Sequence, residues 1–138
     1  MKTKETLNIV IVDNDPLTGK IYSEHMNKMG YEQVSVLTTH PDCINQVCGN
    51  ADIIFLEQQM MICAGRDIMK EYKFRNPNAY IVIISAQTNL RMVVAAFREG
   101  AFDYIIKGEK DLEMIRIVLR EIHLSLVIAS EKKSLNEA

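Results

Sequence analysis

The chain has 138 residues, 48% of them hydrophobic and 25% charged, with a formal net charge of −2. That length is one domain, large enough to bury roughly two thirds of its unfolded surface. The charge balance offers no broad basic surface to nucleic acid or to an anionic membrane, and no run approaches the ~20 apolar residues of a membrane span.

Residues 9–12, IVIV, are a short apolar, β-branched run and predict a first buried strand. Asp13 ends the run too early for a secretory signal. Asp13-Asn14-Asp15-Pro16 then turns the chain, with Asp15 as a natural N-cap and Pro16 at the first helical position. The helix runs to about Met29, with Leu17, Ile21, Tyr22, Met26 and Met29 on its inner face. Gly19 inside it costs about 1 kcal/mol against alanine, and Gly30 is its stop. Residues 33–37, QVSVL, alternate as a more peripheral strand. His40-Pro41 opens a short helix with Ile44, Val47 and Cys48 on one face, closed by Gly49-Asn50.

The stretch 51–65, ADIIFLEQQMMICAG, carries the central strand, residues 53–56, which ends on Glu57. A helix over 66–75 follows, with Ile68, Met69 and Tyr72 inward, and Asn76-Pro77-Asn78 breaks it. Residues 80–84, YIVII, form the next buried strand and end on Ser85. Thr88 or Asn89 caps a helix whose apolar face is Leu90, Val93, Val94 and Phe97, and Gly100 ends it. Residues 102–106 are the last strand, ending on Lys107-Gly108. From Glu109 the chain is helical to about Ser130, which makes residues 1–130 the domain and the polar residues 131–138 a frayed tail. In the last helix Leu112, Ile115, Leu119, Ile122, Leu126 and Ala129 form one apolar stripe, while Ile117, Leu124 and Ile128 lie on a second side.

Five strands thus alternate with five helices, and the strands are apolar on both faces. This predicts an α/β fold, a five-stranded parallel sheet with helices on both faces. In such sheets chemistry gathers at the carboxyl ends of the strands. Asp13, Asn14 and Asp15, Glu57, Ser85 and Lys107 all follow strands. Carboxylates, a hydroxyl and an ammonium make a set that handles phosphoryl groups, with magnesium held by oxygen ligands. Singly, each has a plainer reading: turn and cap chemistry for Asp13-Asn14-Asp15, surface polarity for Ser85 and Lys107. Cys43, Cys48 and Cys63 have no metal-type spacing and read as reduced thiols in a cytoplasmic protein. His25, His40 and His123 show no ligand spacing either.

Over residues 7–128 the chain resembles the receiver domains of bacterial two-component response regulators. The resemblance rests on IVIVDNDPLTGKIYSEHMNKMGY, ADIIFLEQQMMICAG, IVIISA and GAFDYIIKG, in that order. It implies the flavodoxin-like (βα)5 receiver fold and a signalling module, not an enzyme. It places Asp13 and Asn14 on the family's acidic pair, Glu57 on its phosphoacceptor aspartate, and Ser85, Tyr104 and Lys107 on its switch hydroxyl, aromatic and lysine. It also implies a signalling partner, a histidine kinase or an output domain, on the face of the fourth helix, fifth strand and fifth helix, where Arg91 and Tyr104 fall. The second stripe of the last helix reads as a surface for a second copy, as a run-on into a following domain, or as an exposed apolar edge with no partner. No helix-turn-helix or basic recognition helix is present for direct nucleic-acid binding, and no membrane contact is implied.

The sequence departs from the family at Glu57 (for Asp), Asn14 (for Asp), Met61 (for Pro) and Gly108 (for Pro). One extra methylene moves the acceptor carboxylate by about 1 Å, a misplacement that can cost ~10²-fold in rate. Asn14 is a neutral magnesium ligand where a carboxylate is favoured. The expectation is an atypical receiver with a weak or lost magnesium site at Asp13, Asn14 and Glu57, acting without phosphorylation. Two accounts of Glu57 stand: a carboxylate that reaches Lys107 and Ser85 in place of a phosphoryl group, or a decayed site on an interaction module. The enzyme alternative is a magnesium-dependent phosphatase resembling the haloacid dehalogenases, with Asp13 of Asp13-x-Asp15 as nucleophile. That family needs a further acidic pair after a later strand, where this chain has Lys107-Gly108, and it gives Glu57 no role.

Overall fold

The computed structural model describes residues 2–38, 48–63, 66–87 and 89–137. Residues 40–47 of the predicted helix opening at His40-Pro41, Ile44 and Val47 among them, lie outside them, as does Thr88, while Cys48–Asn50 at its end forms a 3-10 turn. Five strands form one sheet in the order β2-β1-β3-β6-β7: β1 (Asn8–Val12), β2 (Gln33–Leu37), β3 (Ile53–Glu57), β6 (Tyr80–Ser85) and β7 (Asp103–Ile106). Every pairing in it is parallel. This is the predicted flavodoxin-like receiver fold.

The apolar runs are explained by alternation between two cores. Val10, Val12, Ile54, Leu56, Ile81 and Ile83 join one cluster with Ile68, Met69 and Tyr72 of α2 (Ile68–Arg75) and Ala96 of α3 (Leu90–Arg98). Ile9, Ile11, Ile53, Phe55, Val82 and Ile84 join the other with Tyr22 and Met26 of α1 (Pro16–Lys28) and Ile115, Val118, Leu119 and Ile122 of α4 (Asp111–Glu137). Successive side chains leave opposite faces, so a strand covered on both sides must be apolar throughout.

Local signals set the helix starts. Asp15 caps α1 through its side chain, which accepts the Leu17 N–H, and Pro16 is the first helical residue. Asn89 caps α3 by accepting from the Arg91 N–H at 2.9 Å. Asp67 caps α2 by accepting from the Lys70 N–H at 3.1 Å, which corrects the predicted start at residue 66. Arg66 and Asp67 instead form a two-residue strand, β5 (Arg66–Asp67), antiparallel to β4 (Ile62–Cys63).

The expectations for α1 and for the last helix hold in part. Leu17 is 65% exposed and Ile21 45%, so the first turns of α1 present apolar side chains to solvent. In α3, Leu90, Val94 and Phe97 point outward (Leu90 is 74% exposed), while Ala96 and the partly buried Val93 meet the sheet side. The last helix begins at Asp111 and does not fray at Ser130: it runs on to Glu137, through the predicted tail. In it Val118 is buried where Ala129 was expected to be.

Gly19 also gains a reason. A Cβ there would lie 2.5 Å from Val36 Cγ1 on β2, so α1 approaches the sheet as closely as it does only because the position lacks a side chain. Gly19→Ala is therefore expected to lower the midpoint of thermal unfolding despite alanine's better helix propensity. A double-mutant cycle with Val36→Ala should show a compensating coupling of about 1 kcal/mol. Additive effects would mean that the two positions do not touch.

Candidate functional site

The parallel register lines up four strand ends. Val12 stands beside Leu56, Glu57 beside Ile84, and Ser85 beside Ile106. The next residues, Asp13 after β1 and Lys107 after β7, complete a row across the carboxyl edge of the sheet. Backbone bonds extend the ladder one step to hold them: the Asp13 N–H donates to the Leu37 carbonyl (3.0 Å) and the Lys107 N–H to the Ser85 carbonyl (2.8 Å).

Asp13, Glu57 and Ser85 are the buried polar side chains of the described residues, at 2%, 5% and 0% exposure. Lys107 Nζ reaches back over them, 3.1 Å from Asp13 Oδ2 and 3.8 Å from Glu57 Oε1. Each carboxylate keeps a second anchor. Asp13 Oδ1 accepts the Asp15 N–H at 2.9 Å, and Glu57 Oε2 accepts the Gln59 N–H at 2.8 Å. Ser85 Oγ accepts the Gln87 N–H at 2.9 Å. Burial pushes the Glu57 carboxyl above its ordinary range; the Gln59 N–H and Lys107 oppose that, and Asp13 adds to it.

The structure therefore brings together Asp13, Glu57, Ser85 and Lys107. Asn14 is exposed at the rim. Asp15 is exposed too, and its carboxylate is spent on α1: Oδ1 takes the Leu17 N–H, Oδ2 the Thr18 hydroxyl at 2.7 Å. Those bonds hold its pKa below the ordinary carboxylate range. Tyr104 is buried beside Ile83 and Ala96, and its hydroxyl has no hydrogen-bond partner.

Sequence reasoning missed the brace behind Lys107. The Tyr22 hydroxyl donates to Asp111 Oδ2 at 2.6 Å, and His25 Nε2 donates to the Leu112 carbonyl at 2.9 Å. These bonds pin the start of α4, and so the loop after Lys107, to α1. Burial first, and then the bond to Asp111, push the Tyr22 phenol well above its ordinary pKa. The partners are 89 and 87 positions apart, so no local signal marks them.

A family model described as "Response regulator receiver domain" matches residues 9–119. The chain belongs to the response regulator receiver domain family. It is 29% identical over 100 residues to the chemotaxis protein CheY of Thermotoga maritima, covering 72% of this chain and 83% of that one. It is 25% identical over 103 residues to the transcriptional regulatory protein MalR of Bacillus subtilis, covering 73% of this chain and 44% of MalR. The chain thus spans less than half of that longer regulator. Among solved structures it is similar to the CheX–CheY–BeF3–Mg2+ complex from Borrelia burgdorferi, with a TM-score of 0.73, 20% identity, and coverage of 86% and 90% of the two chains.

The protein is a receiver domain of a two-component response regulator, and the phosphatase alternative finds no support. Receiver domains bind magnesium in the activated state. Magnesium is commonly held by one or two carboxylates with waters and phosphate oxygens. Asp13 and Glu57 would be the carboxylates to hold it here, and Asn14 is exposed at the rim. Both carboxylates already face Lys107, and among the described residues no three His, Cys, Asp or Glu side chains converge on a metal position. The fit is to a weakly held ion.

The raised pKa of Glu57 has a sign in stability. Between its ordinary value of about 4.5 and the raised one, the folded protein binds more protons than the unfolded chain. This group's contribution therefore falls as pH rises through that window and is most favourable below it. Glu57→Gln has no such proton to lose. Its stability relative to wild type is expected to rise from about pH 4 to about pH 7 in urea titrations. A flat or falling difference would show that Lys107 outweighs burial.

Proposed function

We propose that this receiver domain signals through protein contacts without phosphorylation at position 57, with the Glu57 carboxylate as the resident anion of its pocket. The supporting observation is the arrangement of Lys107. Its ammonium already stands between two buried carboxylates, and Glu57 Oε2 is fixed by the Gln59 N–H. An acceptor oxygen held in that way is poorly placed to attack a phosphoryl donor, and the added methylene compounds the misplacement. Glu57 engages Lys107, the switch lysine by resemblance, whereas Ser85 is turned to the Gln87 N–H. The carboxylate thus supplies one of the two contacts expected of a phosphoryl stand-in.

The output surface in this reading is the face of α3, β7 and α4. Leu90, Val94 and Phe97 of α3 are exposed there, Ile106 of β7 is half-exposed, and Arg91 is exposed. Tyr104 lies beneath, against Ala96 and Val93 of α3. An apolar row of this kind is suited to a protein partner, a kinase or an output domain, and does not serve the domain's own core.

Incubation with acetyl phosphate and magnesium, followed by intact mass, tests the reading. The wild type is expected to gain nothing and Glu57→Asp to gain one phosphoryl group. A phosphorylated wild type would overturn the proposal. A Glu57→Asp variant that also stays unmodified would place the defect at Asn14 and leave Glu57 a remnant, not a stand-in.

A further inference from the structure

A cavity of about 640 Å³ opens between the end of α1, the turn before β1 and the middle of α4. Lys4 and Tyr31, which line it, precede β1 and β2, so it lies toward the amino edge of the sheet, away from Lys107. Its floor is apolar. Tyr31 and Leu119 are 3% and 1% exposed, and Met29 packs against the same core. Leu124, 55% exposed, stands at the rim. Pockets that hold small molecules span about 300–1,000 Å³, and this one falls among them.

The ionisable groups around that floor are all bases. Lys4, Arg116, Arg120 and His123 line the cavity, and no carboxylate does. Arg116, Arg120 and His123 follow at steps of four and three, so they share one face of α4, where like charges a turn apart repel. Glu113 neutralises Arg116 with both of its oxygens. Among the described residues neither Lys4 nor Arg120 forms a salt bridge. Glu5 feels the charge of Lys4 and Glu113 that of Arg120, but neither acid lines the cavity. His123 Nδ1 is buried without a hydrogen-bond partner. A ring nitrogen with no acceptor favours the tautomer whose proton is on Nε2, which makes Nε2 a donor. Lys4 is held where it stands. The Leu7 N–H closes its turn on the Thr3 carbonyl at 2.9 Å, and the Lys2 ammonium is anchored 3.0 Å from Asp52 Oδ2. The Lys4 ammonium itself lies 5.6 Å from the centre of the Tyr31 ring and donates to the Met29 carbonyl at 3.3 Å. Both partners are uncharged, so its charge stays unbalanced at the edge of an aromatic floor.

We infer that this cavity binds a small organic anion. An apolar or aromatic body lies on Tyr31, Leu119 and Met29, and a carboxylate or phosphate head is held by Lys4 and Arg120. The two halves of the lining require both parts of such a ligand. The apolar floor gains by covering carbon, and the unbalanced cations gain by charge-assisted hydrogen bonds to an anion. A molecule of this class fits the cavity whole. A nucleic acid would need a basic surface that extends beyond it, and a chain of net charge −2 has no broad one.

This inference concerns a different part of the chain from Glu57 and holds whatever position 57 accepts. The test uses two fluorescent probes on the full chain: anilinonaphthalene sulfonate, an aromatic body with one anionic head, and neutral phenylnaphthylamine, the same body without it. The sulfonate probe should fill a single saturable site and bind on the order of 10-fold more tightly than the neutral one. Lys4→Gln with Arg120→Gln should remove that advantage and leave the neutral probe unaffected. Both side chains are exposed, so the unfolding midpoint should stay unchanged. Phe97→Glu, on the exposed α3 face, should leave binding of both probes as it was. Displacement of the sulfonate probe by phenyl phosphate but not phenylacetate assigns a phosphate head, and the reverse a carboxylate. No saturable binding overturns the inference, as does a neutral probe that binds as tightly as the anionic one. Binding lost in Phe97→Glu but kept in the Lys4 and Arg120 variant overturns it too, because the probe would then sit on α3.

Discussion

Lys107 holds the edge of this sheet together. Two carboxylates, Asp13 and Glu57, are almost completely withdrawn from water at neighbouring strand ends. Two anions held so close together in a dry site are costly unless a cation stands beside them. A single ammonium, 3.1 Å from one and 3.8 Å from the other, provides the compensating charge. Its backbone is fixed by the Ser85 carbonyl, and the helix after it is tied to α1 through Tyr22 and Asp111. Removing the lysine would leave two anions in a dry site, a far larger perturbation than losing a surface ion pair.

That arrangement is a consequence of the parallel sheet. Parallel strands deliver all their C-termini to one edge, and their two-sided burial keeps that edge rigid. Helix packing then decides what the domain shows to others. α3 turns Ala96 to the sheet and leaves Leu90, Val94 and Phe97 outside. The distal part of α4 leaves the domain entirely, carrying a stripe that its own core never uses. The site and these two apolar surfaces sit on elements that meet at β7 and the loop after it.

Much of this was legible in the chain itself. Short β-branched runs ending on Asp13, Glu57, Ser85 and Lys107 announced strands apolar on both faces and the chemistry at their ends. Pro16 after Asp15 fixed a helix start, and the order of the motifs fixed the family. These signals are local: a strand's burial on two sides, a cap and a turn are each written in a few consecutive residues. The partial misreadings have one kind of cause. Apolar spacing says that a helix has an apolar face but not how that face is rotated against the sheet. Where α1 and α3 carry apolar residues on more than one side, the small residues Gly19 and Ala96 decide the close approach.

The sequence by itself determined the sheet and the identity of the residues at its carboxyl edge, the carboxylate of Glu57 at the end of the central strand among them, because these follow from residue type and short-range periodicity. Only the tertiary structure decided that Asp15 serves α1 and not the pocket, that Lys107 sits nearer to Asp13 than to Glu57, that Tyr22 braces Asp111 from 89 residues away, and that the last helix runs on to Glu137. The first three depend on distances between elements remote in sequence. The last depends on helix propagation: a turn adds to an existing helix without the cost of nucleation, so a polar composition alone does not end it.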